Sequence, residues 1–237
     1  MKQYALHLLT FLFFTLAAQG QQVKNRTCRI LFLDRPDEAP VTLHLFDGAA
    51  TREVELPGMN LSQVYELPAG DITLSMLSAP PLDPKVIPAG APTATVPAAV
   101  TDIYLLVMSD PVNKVAPVSL QIVDASAAKL LRGQTLWYNL TELTVGGKLG
   151  AATIILKPKS RAVMEAPRND AGDYPVSLAY RKEGKEQPYP ICETRWAHDP
   201  RNRNLGFVMT KPGSRTPRVL VFPDFRVEKP NAENAEE

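Results

Sequence analysis

Short apolar runs, broken by Pro, Gly, Asp and Asn, succeed one another from Cys28 to Phe222. Val41-Thr-Leu-His-Leu45 shows the underlying period: Val41, Leu43 and Leu45 fall on one side, Thr42 and His44 on the other. A period of two is that of a half-buried strand. The pattern predicts strands over 28–33, 41–46, 53–56, 63–67, 72–77, 103–108 and 118–123 in the first half. In the second half it predicts them over 136–139, 154–156, 162–165, 175–180, 192–197, 206–209 and 218–222. Residues 103–108 are apolar at every position, which marks a central strand with both faces covered. A Pro-rich connection, 79–97, precedes it. The one helical suggestion, 125–131, is too short to stand as a helix. The fold class expected is all-β.

One stretch is written twice. Ser62-Gln-Val-Tyr-Glu-Leu-Pro-Ala-Gly-Asp-Ile-Thr-Leu-Ser75 reads as a strand, a Pro/Gly turn and a second strand, the form of a β-hairpin, and residues 160–177 repeat that form. Further blocks recur in order. Gly48-Ala-Ala-Thr51 returns as Gly150-Ala-Ala-Thr153, and Ala69-Gly-Asp71 as Ala171-Gly-Asp173, each at an offset of 102. Val107-Met-Ser-x-Pro111 returns as Val208-Met-Thr-x-Pro212 at 101, and Pro117-x-x-Leu120 with Asp124 as Pro217-x-x-Leu220 with Asp224 at 100. Ordered recurrence at a near-constant offset is the mark of a duplicated unit. Its length suits a whole sandwich. Two tandem immunoglobulin-like or transthyretin-like β-sandwiches are expected, over 28–124 and 125–227.

Composition adds a compartment. A basic start, an apolar run from Ala5 to Ala18, and Ala18 and Gly20 ahead of Gln21 describe a secretory signal over 1–20. A polar linker, 21–27, follows, and an acidic tail, 228–237, has no large apolar residue. The expected location is secreted, periplasmic or extracellular, with no membrane span left after cleavage. The 26 Lys and Arg balance the 25 Asp and Glu once Lys2 is removed. A neutral body argues against nucleic acid and against general polyanion binding. Cys28 and Cys192 could bridge in an oxidising compartment, or stay as separate thiols. The sequons at Asn25, Asn60 and Asn139 matter only in a glycosylating host.

Leu33-Asp-Arg-Pro-Asp-Glu-Ala-Pro-Val-Thr-Leu-His-Leu-Phe-Asp-Gly48, followed by Tyr65-Glu-Leu-Pro-Ala-Gly-Asp-Ile-Thr-Leu74, resembles an uncharacterised family of bacterial secreted immunoglobulin-like domains. The resemblance covers 28–124 and is much poorer in the second unit. It implies an extracellular β-sandwich and carries over no catalytic residues.

Candidate chemistry is sparse. His44 sits on the polar side of its strand and is expected in solvent. His198-Asp199 pairs a base with a carboxylate, but strand neighbours point to opposite faces, so contiguity alone makes no dyad. No nucleophile elbow, zinc motif, Cys-x-x-Cys or phosphate loop is present, and no cofactor or metal is expected. Asp37, Asp47, Asp71 and Asp173 suit local turn bonds. One anomaly stands out: residues 195–218 hold six basic side chains against one acid. Arg195, Trp196, His198, Arg201, Arg203, Lys211 and Arg215 form a candidate patch, with guanidiniums for anions and an indole for a sugar face or cation. Reversing Arg201 and Arg203 to Glu is expected to leave the fold intact. The leading reading is a non-enzymatic envelope or secreted protein that presents loops or sheet edges to a partner protein. The alternatives are a module for carbohydrate, anionic glycan or lipid, and a hydrolase with a site assembled non-locally.

Overall fold

A computed structural model describes residues 26–226, apart from 84, 85, 183, 186 and 212. The signal over 1–20, residues 21–25 of the linker and the tail over 228–237 lie outside the described residues. The linker prediction ends too late. Arg26 and Thr27 already belong to the first strand, and Arg26 is buried with its guanidinium donating to the carbonyls of Pro68, Gly70, Pro97 and Val100.

Strands make up the regular structure of the described residues. In the first half they are β1 (Arg26–Phe32), β2 (Thr42–Phe46), β3 (Thr51–Glu55), β4 (Tyr65–Leu67), β5 (Ile72–Leu77), β6 (Thr93–Val96), β7 (Asp102–Ser109) and β8 (Val118–Asp124). In the second they are β9 (Thr135–Asn139), β10 (Thr144–Leu149), β11 (Ala152–Leu156), β12 (Ser160–Met164), β13 (Gly172–Arg181), β14 (Tyr189–His198), β15 (Arg203–Met209) and β16 (Arg218–Asp224). They form four sheets of four strands, in the orders β3-β2-β5-β6, β4-β1-β7-β8, β12-β9-β15-β16 and β11-β10-β13-β14. The protein is all-β.

The four sheets stack as layers. The first two enclose a core built from Ile30, Leu45, Leu74, Leu105 and Val107 among others. The last two enclose a second core around Trp137, Val145, Leu156, Leu178 and Val208. A third apolar layer joins the two inner sheets: Leu31, Tyr104 and Leu106 meet Leu136, Tyr138, Leu205, Phe207 and Phe222. Both faces of β7 and β15 are therefore covered. This is why 103–108 has no polar side, since a two-sided burial requires apolar residues at odd and even positions alike.

Strand order and pairing repeat between the halves. β1 runs parallel to β7 as β9 runs parallel to β15, and every other pairing is antiparallel. Gly48 and Gly150 follow corresponding strands, and Asp71 and Asp173 stand just before Ile72 and Tyr174, which pair with Val96 and Trp196. Val107 and Val208 both face their own sandwich core. The last sequence block departs from this correspondence. Val107 pairs with Leu120 but Val208 pairs with Val219, so Val219, not Leu220, stands where Leu120 does. A one-residue slip reverses facing in a strand, and Leu220 packs on the layer between the units.

Two local expectations are corrected, the hairpin and the count of strands. The repeated stretch is not a hairpin: β4 pairs with β1 and β5 with β2 and β6, so the Pro68–Asp71 turn crosses between sheets, and 165–171 does the same after β12. Inward alternation at Tyr65, Leu67, Leu74 and Met76 fits either geometry, and only long-range pairing distinguishes them. Residues 125–131 form turns and no helix. Two strands escaped the pattern, β6 within the Pro-rich connection and β10 at Gly146-Gly147. There the Ser177 carbonyl comes so near that a Cβ on Gly147 would stand 1.9 Å from it. Cys28 and Cys192 are free thiols. Cys28 is buried in the first core, where burial pushes its thiol up to about 12, and Cys192 packs on the second. At roughly 10 Å per sheet layer they are far beyond the Cα separation of about 7 Å that a bridge spans.

Candidate functional site

Each sandwich has an edge where an outer and an inner strand approach. In the first unit β6 lies against β8 and closes that edge. In the second, β14 and β16 stand apart, and a cleft of about 530 Å³ opens between them. Alternation along β14 turns Trp196 and His198 inward and leaves Arg195 and Ala197 exposed. Asn204 and Pro223, paired across β15 and β16, form the opposite wall, with Phe225 at the rim.

The cleft is aromatic and polar together. Trp196 stacks on Trp137 with ring centroids 6.2 Å apart and planes 19° from parallel. Tyr174 meets Trp196 and His198 edge-on, each at 6.4 Å. Burial pushes the Tyr174 hydroxyl up to about 12. His198 is only 5 % exposed, and burial lowers its pKa below the ordinary histidine value. Its Nε2 is buried and has no hydrogen-bond partner among the described residues. A buried nitrogen left unpaired costs about 1–3 kcal/mol. No dyad forms with Asp199, because Arg201 takes that carboxylate with Nε at 3.0 Å and Nη2 at 2.8 Å, holding its pKa down to about 2.

The predicted patch divides into separate places. Arg195, Trp196 and His198 share the cleft. Arg201 is exposed beside Asp199. Lys211 and Arg215 are exposed on the turn at the other end of β15, about 20 Å away at 3.3 Å per residue. Arg203 leaves the surface altogether. Its side chain, 11 % exposed, is shared between Asp102 at 2.7 Å and Asp224 at 2.8 Å. A glutamate there would put a third carboxylate beside those two, so reversing Arg203 is expected to disrupt the fold and not to spare it. His44 is also corrected: it is half-buried, with an unpartnered Nδ1.

Arg203 belongs to a charged seam between the units, which local pattern does not reveal. Asp224 of β16 accepts from Arg29 of β1, from Tyr104 Oη of β7 at 2.6 Å and from Arg226 at 2.9 Å. Arg226 also reaches Asp102 at 2.9 Å and Thr27 Oγ1 at 3.3 Å. Burial opposes the charge on Asp224, but Tyr104 and the three arginines outweigh it and hold its pKa below the usual carboxylate range. Burial likewise opposes the charge on Arg203, and Tyr104, Asp102 and Asp224 reverse the outcome and raise its pKa. The sequence signal was present: Arg29, Asp102 and Asp224 are charged residues at the ends of, or inside, apolar strands.

Asn139 is fully buried, donating to the carbonyls of Leu143, Leu156 and Lys157, so its sequon serves as an internal tie. Among the described residues no group of three or more His, Cys, Asp and Glu could hold a metal, and no helix is long and apolar enough to cross a membrane. No family model and no curated protein matches the chain.

Proposed function

We propose that this is a secreted, non-enzymatic binding protein made of two duplicated immunoglobulin-like sandwiches, and that the second unit holds a carbohydrate with an acidic group in its edge cleft. The observation that carries the reading is the cleft itself, where an indole, a phenol and a buried imidazole lie beside an exposed guanidinium. A pyranose ring presents its apolar C–H face to an indole face and hydroxyls to the polar wall of Asn202 and Asn204. A carboxylate on it finds Arg195, whose fork matches that geometry. The volume suits a small ligand. Secretion rests on the signal pattern over 1–20. Duplication is supported by the repeated blocks together with the matching strand orders. A non-enzymatic role is supported by the state of a carboxylate pair assembled from distant segments, Asp102 and Asp224. Arginines occupy both, and Asp224 is held ionised, whereas a general acid needs a raised pKa.

Titrating the chain with uronic-acid oligosaccharides and their neutral counterparts tests the reading. Trp196→Ala and Arg195→Gln should each weaken the acidic ligand at least tenfold, and Arg195→Gln should leave neutral-sugar binding unchanged. Equal affinity of parent and Trp196→Ala for every sugar sinks it, and a partner protein at the sheet edges then becomes the better reading.

A further inference from the structure

A second pocket lies on the other side of the same strand ends. β15 and β16 pair Arg203 with Asp224 and Asn204 with Pro223. Alternation sends the second pair to the cleft and the first to the seam, where a pocket of about 270 Å³ opens. Four guanidiniums line it, those of Arg132, Arg201, Arg203 and Arg226, together with Asp102 and Asp224. Asp102 comes from the first unit, Arg132 from the connection and the rest from the second unit or just after it.

The charges within this group do not balance. Arg29, Arg203 and Arg226 share two carboxylates, Asp102 and Asp224. Among the described residues one positive charge is left over in this largely buried cluster. Every carboxylate oxygen of the pair already accepts, since Asp102 also takes the Thr27 hydroxyl and Asp224 that of Tyr104. Donors remain. Among the described residues Arg203 gives Nη1–H to the Ala125 carbonyl and both Nη2 hydrogens to Asp102 and Asp224, leaving Nε–H and one Nη1–H. A cationic recess with low-dielectric walls focuses its field on the opening.

We propose that the seam pocket binds a tetrahedral oxyanion, a phosphate or sulfate group, held by Arg203 and Arg226 at its base and by Arg132 and Arg201 at its rim. Such an ion neutralises the surplus charge. It binds the folded chain and not the unfolded one, so it stabilises the fold by mass action.

The test uses the full mature chain at constant ionic strength, with inorganic phosphate, sulfate, glycerol phosphate and chloride as probes. Phosphate and sulfate should raise the melting temperature saturably, and chloride should not. In Arg132→Gln/Arg201→Gln, which spares the buried ion cluster, the half-saturating concentration should rise at least tenfold. Trp196→Ala should respond like the parent, which separates this site from the cleft. Calorimetric titration of the parent with phosphate needs no variant and should show one site per chain. Tighter binding of glycerol phosphate supports the site and assigns its ligand to an ester; equal binding supports it and assigns the free ion. A response no greater than that to chloride, or a double variant matching the parent, overturns the proposal.

Discussion

Asp224 concentrates the risks of burying charge. Its carboxylate is fully buried and accepts from four side chains, three of them from arginines. Removing one partner of a buried ion cluster strands the others, at about 3–5 kcal/mol. Asp224→Asn should therefore lower the unfolding free energy by that amount in urea titrations. The pH dependence has a definite sign. The folded pKa of Asp224 is depressed, so its contribution is complete above the unfolded carboxylate value of about 4 and is lost as pH falls through the folded value. Parent stability should drop in that acid range, and the variant should lose part of that slope. Gly206 makes the opposite demand, for space. It pairs with Trp137, and a Cβ there would stand 2.6–2.8 Å from the indole ring, which is buried and cannot move aside. Gly206→Ala should cost about 1–3 kcal/mol by overpacking, readable as a lower denaturant midpoint with unchanged slope.

Among the elements, β7 and β15 carry the argument for layering. Leu106 is 2 % exposed and Phe207 fully buried, and both face the layer between the inner sheets rather than a sandwich core. Leu106→Asn and Phe207→Asn should each destabilise by at least about 1–3 kcal/mol, the cost of burying an unpaired amide. Denaturant midpoints equal to the parent's would mean that the layer between the units does not form. The edge strands β14 and β16 do the reverse: by staying apart where β6 and β8 meet, they open the cleft at that edge of the second sandwich.

For the molecule as a whole, the shared apolar layer and the ion seam bind the two sandwiches into one cooperative body. Scanning calorimetry should show a single transition with matching calorimetric and van't Hoff enthalpies. Two separable transitions would show that the units behave as independent beads. Pairing also disperses the basic run: of the six Lys and Arg between 195 and 218, Arg203 holds Asp102 and Asp224, Arg218 holds Asp34, and Arg201 holds Asp199.

The sequence by itself determined the all-β class, nearly every strand and the central place of 103–108, because alternation and turn chemistry are properties of a few consecutive residues. It also determined that Arg195, Trp196 and His198 fall close together, since they share one strand. Tertiary structure alone decided the rest. Whether Leu67 and Ile72 flank a hairpin or a crossing between sheets depends on β1 and β2, which lie far away in the chain. That Arg203 is an internal tie while Arg201 is exposed depends on Asp102, a hundred residues earlier. The layer uniting the two sandwiches is invisible locally, because a residue's periodicity records that a face is covered and not what covers it.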